Sequence, residues 1–176
     1  MQYLRAAKDL LLIIEGDDSR VVKWWVRAAF AVHKDMRSHS CGMVSLGVGA
    51  VYAGFAPQKL NTKISTESEL IGANDFMPQV VWNQYFLQYQ GYDVRENVVY
   101  QDNQSSIMFD NNGKGSSSKR MRHINICYFF VTDRIASVDL DMEHCLTEDI
   151  LADFFTKPLQ GWLFWKFHIA ILYIKD

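Results

Sequence analysis

Val98-Val99-Tyr100-Gln101-Asp102-Asn103-Gln104 is the stretch on which the fold turns. A short run with the composition of a buried strand leads straight into an acid. Asp102 or Asn103 then has the chemistry of a helix cap, because a side-chain oxygen there accepts a free N–H of the first turn. The sequence predicts a helix of about two turns, ending before Asn111-Asn112-Gly113. Strand, acid and helix in that order is an α/β signature.

Upstream, Gly16-Asp17-Asp18-Ser19 reads as a turn and Val21 to Ala29, rich in β-branched and aromatic residues, as the first strand. Two shorter strands are expected at Met43–Leu46 and Val48–Gly54, separated by Gly47, which makes three consecutive strands and an antiparallel meander. Leu70, Ala73, Met77, Val80 and Val81 recur at helical spacing and predict a helix from Thr66 to about Gln90. Pro78 lies inside it and is expected to kink or split it.

Downstream, Gly113 to Ser118 reads as a loop, and a helix is expected from about Lys119 to Thr132. Val138-Asp139-Leu140-Asp141-Met142-Glu143 alternates apolar and acidic residues, as a half-solvated strand does. Thr147 is the expected cap of a last core helix, with Glu148 and Asp149 in its first turn. The fold class is therefore α/β with a mixed sheet, in the α+β sense: three antiparallel strands, then further strands with flanking helices.

Composition bounds the rest. The chain has 176 residues, enough for one domain with a substantial core. It is 49% hydrophobic and 14% aromatic, which excludes a disordered chain. A net charge of −2 provides no global attraction for nucleic acid, so such binding needs a local basic patch. Cys41, Cys127 and Cys145 are odd in number, show no CxxC spacing and follow no signal peptide, which implies a reducing intracellular compartment, cytoplasm or nucleus. The apolar run Trp162 to Ile174 carries Lys166 and His168 and is shorter than the ~20 residues that span a bilayer, so an amphipathic terminal helix and no membrane partner are expected. Met1 to Leu10 mixes apolar and charged residues as a short helix does.

Several motifs in order then carry a resemblance. They are Lys23-Trp24-Trp25-Val26, Ala31-Val32-His33, Met36-Arg37-Ser38-His39, Gln58 to Lys63, Ser65 to Leu70, Asp102-Asn103-Gln104-Ser105, Lys119 to Ile124, Tyr128-Phe129 and Ala152 to Gly161. The chain resembles the ribonuclease H domain of copia-type LTR retrotransposon polyproteins, from about Tyr3 through Phe167. The resemblance implies a ribonuclease H-like domain at residues 20–160, the tail of a preceding reverse-transcriptase region at 1–15, and a C-terminal extension at 161–176. It also implies the family's activity, cleavage of RNA in RNA–DNA hybrids, and the reverse-transcriptase domain of the same polyprotein as partner.

In that family four carboxylates hold two Mg²⁺ (or Mn²⁺) ions about the scissile phosphate. Matched by motif, Glu69, Asp102 and Asp153 stand at three of the four positions, and Arg27 stands where the first-strand acid belongs. A guanidinium does not deprotonate in proteins, so Arg27 removes a ligand and adds a fixed positive charge. The expectation is an impaired site in which Arg27 pairs with Glu69, Asp102 or both. A non-catalytic nucleic-acid-binding module and a transposon remnant without function are the alternatives.

Each acid also has a plain structural reading. Thr66 and Glu69 have capping-box spacing, Asp102 could be a simple N-cap, and Asp153 a solvated helix residue. Arg27, one residue out of register, would face away from the acids. Lys114, Lys119, Arg120 and Arg122 cluster at an expected helix start, where an anionic backbone would offset cations that oppose the macrodipole. His123 with Cys127, and His144-Cys145, can be drawn as a zinc site but lack the paired short spacings of one.

Overall fold

The computed structural model describes residues 9–103, 122–137 and 140–173. The expected helices at Met1–Leu10 and after Asp102, and the 113–118 loop, fall wholly or largely outside them. Strands β1 (Glu15–Gly16), β2 (Val21–Ala29), β3 (His39–Ser45), β4 (Gly47–Val48) and β5 (Tyr52–Pro57) precede helix α1 (Ser65–Tyr89). Strand β6 (Glu96–Gln101), helix α2 (Arg122–Ser137), strand β7 (Leu140–His144), a 3₁₀ turn at Leu151–Phe155 and helix α3 (Gly161–Leu172) follow.

Five strands form one mixed sheet in the order β5-β3-β2-β6-β7. The β5-β3-β2 part is the antiparallel meander, whereas β6 joins β2, and β7 joins β6, in parallel. Strand β2 is central and buries every second residue, Val22, Trp24, Val26 and Ala28. Three of these, Val22, Trp24 and Val26, pack with Ala73, Phe76, Met77 and Val80 of α1, Val131 of α2, and Leu140 and Met142 of β7. Burying an apolar side chain of this size stabilises by roughly 1.5–3 kcal/mol, so this layer dominates the folding energy. On the opposite face, Trp25, Cys41 and Tyr100 pack with Ile150 and Ala152, while Met43 packs with Phe167 and Ile171 of α3.

Helix α1 runs unbroken through Pro78. Phe76, Met77 and Val80 are buried on either side of the proline, and that packing outweighs the ~3 kcal/mol a mid-helix proline costs. The helix stops where Gly91 takes a left-handed φ of 87°. There the Gly91 N–H donates to the Gln88 carbonyl and the Tyr92 N–H to that of Leu87, which satisfies carbonyls at the helix end.

Three expected elements differ. Val48–Gly54 is not one strand: β4 pairs with β1 in a separate ribbon, and β5 begins at Tyr52. Gly49 breaks the run, with φ of 72° and Ile13 so close that an added Cβ would lie 2.1 Å from its carbonyl oxygen. The helix expected from Thr147 is only the 3₁₀ turn, whose cap position is Ile150. Helix α3 buries Phe167, His168 and Ile171 yet leaves Trp162, Trp165 and Ile169 exposed, so its outer face is not polar. No helix among the described residues is long and apolar enough to cross a membrane.

Candidate functional site

Four segments distant in sequence deliver charged side chains to one end of the sheet. Strand β2 carries Arg27 near its end, α1 carries Glu69 in its first turns, Asp102 follows β6, and the 3₁₀ turn carries Asp153. Arg27 Nη1 lies 3.0 Å from Glu69 Oε1 and also bonds Asp102 Oδ1, while Nε donates to Asp153 Oδ1 at 3.1 Å. One guanidinium thus engages all three carboxylates. Asp153 has a second cation, Lys157 Nζ, 2.5 Å from Oδ2, and Thr156 Oγ1 lies 3.3 Å from its Oδ1. Thr147 Oγ1 donates to Asp102 Oδ2 at 3.4 Å. The hydroxyl expected to cap a helix serves this cluster instead.

Glu69 does not reach back to the start of its helix as a capping box requires. Its Oε2 accepts the backbone N–H of Ala28 at 2.9 Å, and Glu67 accepts the Lys63 N–H, one residue ahead of the cap position Ile64, at 2.8 Å. Arg27 faces the acids, in register opposite Cys41. The Cys41 thiol is fully buried beneath the cluster and donates to the Ala152 carbonyl at 3.2 Å.

Burial governs the electrostatics. Desolvation pushes the Glu69 carboxyl up to about 8, with Asp102 and Asp153 adding to the rise. Arg27 and the Ala28 N–H pull the other way and offset only part of it. The geometry of donors on both Glu69 oxygens favours the carboxylate, whereas a neutral Glu69 leaves Asp102 and Asp153 balanced by Arg27 and Lys157. The upward direction prevails because the side chain is only 4% exposed. Burial likewise pushes the Cys41 thiol far up, reinforced by Glu69 and Asp153, which makes it an inert core residue.

The residues present do not fit a pair of divalent ions. Mg²⁺ requires oxygen ligands at roughly 2.0–2.1 Å in near-octahedral array. Here a fixed cation already bonds all three carboxylates on the side where such ions would have to sit. Among the described residues, no group of three or more His, Cys, Asp or Glu is arranged to hold a metal ion.

The cluster floors an open cleft of about 630 Å³, also lined by Ser65, Asn103, His144, Thr156 and Lys157. Lys157 was legible as a partner of Asp153 from its i+4 spacing. Thr147 and Thr156 carried no such signal. Lys114, Lys119 and Arg120, and the side chains of Arg122 and His123, lie outside the described residues. Cys127 is buried in α2. His33 Nε2 and His39 Nδ1 share a hydrogen bond of 2.9 Å away from the acids.

Comparison with known proteins places this fold. No family model matches the chain. It is 29% identical over 158 residues to the retrovirus-related Pol polyprotein from transposon TNT 1-94 of Nicotiana tabacum, covering 89% of this chain and 12% of that one. It is 32% identical over 133 residues to the corresponding polyprotein from transposon RE2 of Arabidopsis thaliana, covering 71% and 9%. Among solved structures, LC11-RNase H1, isolated from compost by a metagenomic approach, superposes with a TM-score of 0.56 at 9% identity, covering 76% of this chain and 91% of that one. The N-terminal RNase H domain of a Mycobacterium tuberculosis protein gives 0.52 at 9% identity, covering 76% and 88%.

The chain is a ribonuclease H-like domain homologous to part of copia-type retrotransposon Pol polyproteins. It spans about an eighth or less of the curated relatives it matches. In this ribonuclease H-like domain the meander, the long helix and the parallel strand β6 converge on Arg27, so the fold itself assembles the cluster.

Proposed function

We propose that this ribonuclease H-like domain binds RNA–DNA hybrid without cleaving it, Arg27 standing in place of the first acid of the hydrolytic site. The observation that carries the reading is the single guanidinium bonded to Glu69, Asp102 and Asp153. In the active family those three acids and a fourth would hold Mg²⁺ or Mn²⁺; here Arg27 supplies the positive charge internally. An LC11-RNase H1 structure is described as a complex with RNA/DNA hybrid, which supports hybrid as the ligand class. Lys114, Lys119, Arg120 and Arg122 are the proposed phosphate contacts, and the reverse-transcriptase region of the same polyprotein the proposed neighbour. The proposed boundaries are 20–160 for the domain, with 1–15 and 161–176 as flanking segments, and the proposed location is intracellular.

The test is a cleavage and binding assay on labelled RNA–DNA hybrid with Mg²⁺ or Mn²⁺, using the wild type and Arg27→Asp. The wild type is expected to bind with an affinity that falls as salt rises, and to leave the RNA intact. Metal-dependent cleavage by the wild type would sink the reading. Cleavage gained by Arg27→Asp would show that the other three acids are competent.

A further inference from the structure

The second half of α1 carries an outer face unlike that of a surface helix, which is ordinarily polar. Trp82, Tyr85, Phe86 and Tyr89 follow i, i+3, i+4, i+7 spacing, and all four are exposed, Tyr89 by 89%. Trp82 and Phe86 stack at 5.1 Å, which fixes the stripe as one surface. Tyr92 continues it past the helix end, at 67% exposure. Phe86 and Tyr92 also wall a groove of about 750 Å³, with Leu87, Val94, Val22 and Leu46.

We infer that this stripe is a self-association surface, α1 of one copy lying against α1 of a second copy. Charge selects the occupant. No charged residue occurs between Asp75 and Asp93, and no Lys or Arg between Lys63 and Arg95. The helical stripe therefore offers no cation to a phosphate backbone, and Arg20, which lines the groove beside it, is paired with Asp93 at 2.6 Å, so two copies meet there without net like-charge repulsion. Area agrees with this choice. Aromatic side chains bury ~150–250 Å² each, so five of them at these exposures present roughly 600 Å² per copy. With the groove walls added, that approaches the ~800 Å² each partner contributes to a standard stable interface. Because the contact is isologous, every residue of the stripe serves both copies. The inference is independent of the hybrid-binding reading, since the stripe contains none of the cleft residues.

Sedimentation velocity of the whole chain over roughly 1–100 µM, where interfaces of this size report, tests it. The wild type is expected to shift from monomer to dimer with concentration. Tyr89→Glu and Tyr85→Glu are expected to remain monomeric throughout, with unchanged circular dichroism and melting temperature, because both side chains are exposed. A wild type that stays monomeric overturns the inference, whether the stripe is open or covered by the chain's own residues. So does a dimer that survives both substitutions, or a stripe variant that stays dimeric but loses hybrid affinity.

Discussion

Arg27 and Glu69 are joined twice over: Nη1 of the arginine lies 3.0 Å from Oε1, and the N–H of Ala28, the next residue, donates to Oε2 at 2.9 Å. Strand and helix are thus tied through one carboxylate by both side chain and backbone. The pair is deeply placed, with 18% and 4% of the side chains exposed. Its energetic weight lies mainly in what removal of either partner would leave behind.

Arg27→Met deletes the cation and leaves Glu69, Asp102 and Asp153 facing one another. A loss of about 3–5 kcal/mol in unfolding free energy is expected at neutral pH, the cost of uncompensated buried charge. Urea unfolding at pH 7 beside Arg27→Lys checks it, because a lysine keeps a cation in the cluster and is expected to lose less. Equal deficits in the two variants would assign the loss to packing or to the lost guanidinium geometry.

Arg27→Asp converts the cluster to four acids. Lys157, paired with Asp153, then offsets one of the four acids and leaves the rest uncompensated, so Mg²⁺ is expected to raise the melting temperature of the variant and leave the wild type unmoved. At ten- to twentyfold excess over its dissociation constant, the ion contributes about 1.4–1.8 kcal/mol. Differential scanning fluorimetry with and without Mg²⁺ reads this directly.

The raised Glu69 sets a pH dependence. Its folded carboxyl holds a proton until about 8, against an ordinary value of 4.5. Between those values the unfolded chain binds fewer protons at this site than the folded one, so stability falls as pH rises through the window. Below 4.5 and above about 8 the contribution is flat. Glu69→Gln is expected to flatten that slope, measured as unfolding free energy from pH 4.5 to 8.5; an unchanged slope would exclude Glu69 as its source.

Glu67 ties the start of α1 to the segment ahead of it by accepting the Lys63 N–H at 2.8 Å. Glu67→Ala is expected to cost about 1 kcal/mol, the usual net value of one hydrogen bond. Thermal unfolding of this variant beside Thr66→Ala checks it, because Thr66→Ala leaves that bond in place and is expected to cost less.

The local patterns of the sequence were enough to place β2, α1 and β6, because each rests on short-range periodicity that the core then accepts. Val21–Ala29 alternates about a buried face, and α1 repeats its apolar residues at helical spacing. The break at Gly49 was not legible, since it depends on Ile13 approaching from the irregular segment ahead of β1. Nor was the shortening of the Thr147 helix to a 3₁₀ turn, with the Thr147 hydroxyl held by Asp102.

By itself the sequence determined the order of motifs, and through it the kind of fold and the acids Glu69, Asp102 and Asp153. Tertiary structure alone decided what those acids do to one another. Arg27 meets Asp102 across 75 positions and Asp153 across 126. Strand register settles which face such a residue presents, and a slip of one position would have turned Arg27 away. Proton affinity followed from the same assembly, because a carboxyl acquires the desolvation that raises Glu69 only when sheet, helix and 3₁₀ turn close over it.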